Sequence, residues 1–229
     1  MNKLNQLKKW SGVKKDCAPG NYCVSKYIEN PLLIGGKKFD LRMYVLVTSF
    51  RPLRVYLGDS FARFCHTKYN AANVKDKFSH LTNVSIQKSN ENYNNSHGGK
   101  WQVKNLKLFL ESTKGFEVTK DLFEGINAII IHSLKAVQDK VMNERHCFEL
   151  LGYDILIDSN LKPWLIEVNA SPSLSATTSR DKQMKVNMIN DILEIVCPTS
   201  FRSVKSAQGP CKNIGDFVVL YDESVQSNE

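Results

Sequence analysis

Apolar residues along this chain gather in short runs, each bounded by polar or Gly/Pro-containing segments. Residues 41–50, rich in Val, Leu, Tyr and Thr, predict a strand, and 53–57 and 61–65 predict two more. Arg51-Pro52 is the turn between the first pair, and connections this short predict an antiparallel meander. Residues 22–29 predict a further strand, ended by Asn30-Pro31. Residues 70–77 form a polar excursion, and 81–87 a short alternating segment. Two helices are predicted after an Asn- and Gly-rich loop at 90–100. Val103, Leu106, Phe109 and Leu110 share one face of the first. Val118, Leu122, Ile126, Ile130, Leu134, Val137 and Val141 make a core-facing stripe on the second. A last helix, beginning near Asp181 with Ser179 as its cap, carries Met184, Met188, Ile192 and Val196. A short helix at 4–10 and a docking strand at 217–221 complete the pattern, with frayed terminal residues. Strands with interspersed helices predict an α+β fold, a mainly antiparallel sheet with flanking helices.

The length of 229 residues suits one large domain or two small ones, and there is no internal repeat. A hydrophobic fraction of 42% fits a fold that buries a core. The apolar runs, such as 43–47 and 127–132, are too short to span a bilayer, and residues 1–10 are polar and basic. An intracellular protein with no membrane partner is therefore expected. Six cysteines at 17, 23, 65, 147, 197 and 211 include no CxxC pair, which speaks for reduced thiols over structural zinc. The net charge of +8 favours an acidic partner. No nucleic-acid-binding motif directs that charge to nucleic acid, and a merely basic surface would carry it equally.

The chemistry concentrates at 152–169. A loop at 159–162 joining two antiparallel strands would set Asp158 opposite Pro163, Leu156 opposite Leu165 and Asp154 opposite Glu167. One face then carries Ile155, Ile157, Trp164, Ile166 and Val168, and the other Asp154, Glu167 and Asn169. That register holds two carboxylates about 5 Å apart. A hard cation between them, held also by the Asn169 amide oxygen, relieves their repulsion, and magnesium takes this kind of oxygen set. An ordinary solvent-facing hairpin is the alternative.

Several segments carry a resemblance. PWLIEVNASPS at 163–173, KKFDLRMYVLVTS at 37–49, HLTNVSIQK at 80–88 and FELLGYDILID at 148–158 resemble the tubulin tyrosine ligase-like family. Together they cover roughly residues 22–196. FARF at 61–64, HGGKW at 97–101 and GDFVVLYDE at 215–223 are similar to its polyglutamylase branch. The resemblance implies an ATP-grasp-like fold, incomplete at the N-terminus. It implies an ATP-dependent carboxylate–amine ligase that activates a Glu side chain of a tubulin tail as an acyl phosphate and joins free glutamate to it. The implied cofactors are ATP and magnesium. The implied partners are tubulin tails or microtubules, free glutamate and further subunits of a polyglutamylase complex. The implied location is cytoplasm and cytoskeleton, cilium or basal body included.

Roles follow by matching position. Asp154, Glu167 and Asn169 resemble magnesium ligands. Ser25, Lys26, Tyr27 and Ile28 resemble the strand whose backbone faces adenine. Lys38, Phe39 and Asp40 match nucleotide contacts, Arg42 the catalytic phosphate contact, and Thr82 and Asn83 a second nucleotide contact. Arg63, Lys100 and Lys185 match residues that grip free glutamate, with Lys100 in a Gly-rich loop and Lys185 on a polar helix face. Each has a bland alternative: a plain strand for 25–28, a structural Asp40–Arg42 pair, a turn or cap at 82–83, and solvated lysines. The implied organisation is a remnant of a preceding lobe at 1–20, the catalytic core at 21–198 and a partly disordered extension at 199–229. The family's phosphate-binding Lys and flexible loop belong before residue 2, so a truncated form with little activity of its own is expected. A basic tubulin-binding adaptor or pseudoenzyme is the alternative function, and a ligase for a small-molecule substrate a third.

Overall fold

A computed structural model describes residues 25–90, 99–144, 147–176, 178–197 and 211–226. The strands are β1 (Leu33–Ile34), β2 (Lys37–Phe50), β3 (Leu53–Leu57), β4 (Phe61–Phe64), β5 (Lys100–Gln102), β6 (Glu149–Ile157), β7 (Pro163–Asn169) and β8 (Val218–Asp222). The described helices are α1 (Lys77–His80), α2 (Val84–Gln87), α3 (Val103–Lys114), α4 (Phe116–Val137), α5 (Ser179–Val196) and α6 (Glu223–Gln226). The strands form one 8-stranded sheet in which every pairing is antiparallel. The chain is thus α+β, as its pattern predicts. No described helix is long and apolar enough to cross a membrane.

β2 is the centre of the sheet, and its alternation explains why. Phe39, Leu41, Met43, Val45 and Val47 point to one face, where they join Leu151, Tyr153, Ile155 and Ile157 of β6 in a buried core. Leu106 and Leu110 of α3 and Leu122, Ile126, Ile130 and Leu134 of α4 cover that core, at the spacing the sequence predicts. Val118 and Val137, expected in the same stripe, are exposed at the helix ends. On the opposite face Tyr44 and Leu46 meet Tyr56, Phe61 and Phe217 under Met184, Met188 and Ile192 of α5. Helices therefore pack on both faces, and α5 covers only part of its side.

The meander holds for β2 and β3 but not beyond. β3 and β4 both pair antiparallel with β2, β4 along residues 39–42 and β3 along 45–50. They are two pieces of one edge interrupted at 58–60, not a hairpin. The interruption is bonded in place: Gly58 donates its N–H to the Tyr44 carbonyl at 2.9 Å, and the Ser60 hydroxyl accepts from the Tyr44 N–H at 3.1 Å. A Cβ on Gly58 would stand 2.7 Å from the Phe217 ring, so only glycine fits there.

Four further expectations are corrected. Residues 25–28 form no strand, because no ladder neighbour lies beside them among the described residues. Residues 84–87 are helical. Thr178, not Ser179, caps α5, its hydroxyl accepting the Asp181 N–H at 3.1 Å. Lys100 opens β5 instead of lying in a loop. The docking strand near the C-terminus forms as β8 on β3. The helix expected at 4–10 and most of the loop at 90–100 lie outside the described residues.

Candidate active site

Antiparallel register aligns a mostly polar band across the sheet on the face where α5 packs. Gln102 of β5 stands opposite Phe61 of β4, Phe61 opposite Arg42 of β2, Arg42 opposite Asp154 of β6, and Asp154 opposite Glu167 of β7. One pleat along, Lys100 faces Arg63 and Arg63 faces Asp40; on the other side, Gly152 faces Asn169. Directly opposite residues share a face, so these side chains converge.

The Asp154–Glu167 pairing is the one expected, but it is reached differently. Asp158 belongs to the turn, where its carboxylate accepts from the Asn160 N–H at 2.8 Å, the Lys162 N–H at 3.0 Å and the Trp164 indole at 2.9 Å. Ile157 therefore faces Pro163, and Leu156 faces Trp164. An irregularity between Asp154 and Ile155 restores the expected register beyond it. In consequence Trp164 leaves the apolar face. Leu165, Ile166 and Val168 also stay exposed along β7, which pairs only with β6 among the described strands.

Asp154 is gripped by two arginines. Arg42 donates to it at 2.6 and 3.2 Å, and Arg63 at 2.8 Å. Arg63 also holds Asp40 in a bidentate pair at 2.8 and 2.5 Å, and Thr82 donates its hydroxyl to Asp40 at 2.8 Å. Burial of Asp154 works to raise its pKa, but Arg42 and Arg63 outweigh it and hold the carboxyl below its ordinary value. Burial likewise works against the Arg63 charge, and Asp40 and Asp154 more than compensate. The predicted i, i+2 residues Asp40 and Arg42 do share one face, but each pairs across strands and not with the other.

The remaining residues of the predicted set are placed as follows. Lys38 is buried, donates to the Tyr27 hydroxyl at 3.2 Å and to the His80 carbonyl at 2.9 Å, and desolvation lowers its pKa. Ser25 and Lys26 are exposed, and Ile28 is half-buried. The Tyr27 hydroxyl reaches His80 Nδ1 at 2.7 Å, while His80 Nε2 sits 3.1 Å from the carbonyls of Asn70 and Asn73. Two carbonyls make Nε2 the protonated nitrogen, so Nδ1 accepts from Tyr27. Phe39 turns into the helix-facing core and stacks on Phe64 at 5.2 Å, away from the band. Asn83 is exposed ahead of α2, with no side-chain cap bond. Lys100 and Lys185 meet at Asp181, and Lys185, expected on a polar helix face, is buried. Sequence reasoning did not single out Asp181, His80, Phe61 or Gly152.

Asp154, Glu167 and Asn169 offer oxygen donors only, which suits a hard divalent cation. Asn169 Nδ2 donates to the Gly152 carbonyl and to Glu167 Oε1, both at 3.2 Å, which anchors the amide beside the carboxylates. Two carboxylates and one amide are a partial set, of the kind magnesium completes with water and phosphate oxygens; among the described residues no group of three or more His, Cys, Asp or Glu is placed to hold a metal ion. Asp154 would serve such an ion while sharing its charge with two guanidinium groups.

Gly152 makes room for this arrangement. A Cβ there would lie 2.8 Å from Pro172 Cβ and 3.3 Å from Arg42 Cδ. Gly152→Ala is expected to push Arg42 off Asp154 and to lower stability by about 1–3 kcal/mol, read as a lower urea midpoint.

Comparison with known proteins agrees with this architecture. The model of the tubulin-tyrosine ligase family matches residues 1–205, and the chain belongs to that family. It is 47% identical over 237 residues to "Probable alpha-tubulin polyglutamylase Ttll1" of Tetrahymena thermophila, covering 98% of this chain and 57% of that protein. It is 44% identical over 210 residues to "Probable tubulin polyglutamylase TTLL9" of Bos taurus, covering 91% of this chain and 44% of the relative. Against "Tubulin polyglutamylase TTLL5" of Homo sapiens the identity is 40% over 194 residues, with 77% of this chain and 15% of the relative covered. The chain spans about half the length of the first two.

Proposed function

We propose that this chain carries the catalytic face of an ATP-dependent carboxylate–amine ligase that adds glutamate to Glu side chains of tubulin tails. The observation that carries the reading is the cross-sheet band in which Arg42, Arg63 and Asp40 meet Asp154 and Glu167. Such a reaction moves a γ-phosphoryl group from ATP to a carboxylate oxygen, releasing ADP. The amine of glutamate then displaces phosphate and leaves an amide. Both steps concentrate negative charge, and fixed buried cations stabilise it without reorganising. Arg42 and Arg63 are fixed in this sense, because Asp40 and Asp154 hold their guanidinium planes. Magnesium, when bound, would neutralise phosphate charge. Glu167, Asn169 and Asp154 would hold it, Lys38, Asp40 and Thr82 would face the nucleotide, and Arg63, Lys100 and Lys185 the glutamate. The names of the relatives support tubulin as substrate and a cytoskeletal location; residues 21–198 would be the catalytic core.

A second reading, a basic adaptor for acidic tails, draws on the net charge of +8 and on the occupation of both Asp154 oxygens by arginines. Thermal melts with ATP and magnesium separate the two. The ligase reading expects a rise in Tm that saturates with nucleotide, about 2.7 kcal/mol of stabilisation at 100-fold Kd. Chelation and the pair Asp154→Ala with Glu167→Ala should each abolish the rise. No response to magnesium and ATP, with retained binding of an acidic tail peptide, would replace the ligase with the adaptor.

A further inference from the structure

Asp181 stands in the first turn of α5, 7% exposed, and joins two elements. One carboxylate oxygen lies 2.8 Å from Lys100 Nζ of β5, and the other 3.2 Å from Lys185 Nζ one helical turn along. Lys185 also donates to the Ser175 carbonyl. Both ammonium groups lie against the Phe61 ring, 4.6 and 6.0 Å from its centroid. A cavity of about 290 Å³ opens beside Lys100 and Asp181, lined also by Phe61, Gln102 and Met184, with Lys185 behind Asp181.

An acid at a helix start needs no ligand to explain it, since the helix dipole favours it there. That role is satisfied by an exposed side chain, however, and uses neither lysine. Here the carboxylate is buried and divided between cations from β5 and α5, two elements that the Arg180–Gln102 hydrogen bond at 2.7 Å also ties together at the rim of the site. We propose that Asp181 is a positioning residue: it holds Lys100 and Lys185 as a spaced pair that receives the carboxylate groups of an acidic amino acid. The inference rests on the reading of Lys100 and Lys185 as substrate cations. It adds the residue that sets their separation, and with it the preference for an acidic over a neutral amino acid.

Lys100 is sensitive to this arrangement. Burial lowers its pKa, while Asp181 works in the other direction, and Lys185 and Arg63 add to the lowering. Without Asp181 the two ammonium groups would face each other across Phe61 and separate.

The test is calorimetric binding of L-glutamate and of glycine to the full 229-residue chain, with magnesium and a non-hydrolysable ATP analogue present. Asp181→Asn keeps shape and removes charge. It is expected to weaken glutamate binding at least about tenfold, to leave glycine binding unchanged, and to leave the thermal response to nucleotide intact. Asp181→Glu is expected to recover part of the glutamate affinity. Unchanged glutamate affinity in Asp181→Asn would overturn the inference alone. Parallel loss of the nucleotide response, or of glycine binding, would reduce Asp181 to a structural role and overturn it too. An unmodified chain that answers nucleotide but binds no glutamate would remove the reading beneath it, and the inference with that reading.

Discussion

Arg63→Ala is expected to lower the free energy of unfolding by about 3–5 kcal/mol, the range found when one member of a buried charge network is removed. Arg63 serves two carboxylates at once, Asp40 through two hydrogen bonds and Asp154 through a third. Those acids are 8% and 4% exposed. With the guanidinium gone, Asp40 keeps the Thr82 hydroxyl and Asp154 keeps Arg42, but a buried negative charge is left without its cation. Arg63→Lys should recover only part of the loss, because a single ammonium cannot reproduce a planar fork that spans both acids. Urea unfolding measures the effect. A midpoint shift equivalent to less than about 1 kcal/mol would mean the network behaves like a solvated surface pair.

Phe39→Ala is expected to cost a similar 3–5 kcal/mol, for the opposite reason. The ring is 1% exposed in the helix-facing core and stacks on Phe64. Its neighbours Lys38 and Asp40 point to the other face of β2. The substitution should therefore depress the melting temperature strongly while the increment produced by magnesium and ATP remains that of the unmodified chain. A vanished increment in a variant that still folds would put the ring, and not only its backbone, at the nucleotide.

Phe39 also shows where the sequence stops being readable. The motif around it could be matched as a string, but a string does not assign faces. Alternation does: it places Asp40 with Arg42 and Phe39 with Leu41, as the structure has them. The helical stripes on α3, α4 and α5 and the pairing of Asp154 with Glu167 were readable for the same reason, since burial of an apolar face fixes phase and register. The readings that failed depend on long-range geometry. Nothing in residues 53–65 says that β3 and β4 share one edge of β2. Nothing local tells that Asp158 will be claimed by the turn, moving Trp164 to the other face. Asp181 resembles any acid at a helix start until Lys100 arrives from β5.

The arrangement of β2 bears on how the chain is made. Its edge toward β3 and β4 closes soon after synthesis, but its other edge waits for β6, and Arg42 waits for Asp154, 112 residues further on. At ordinary translation rates that interval lasts roughly 5–20 s. Throughout it, the nascent polypeptide presents an open strand edge with Arg42 still lacking its acid, a species prone to wrong partners and suited to chaperone capture.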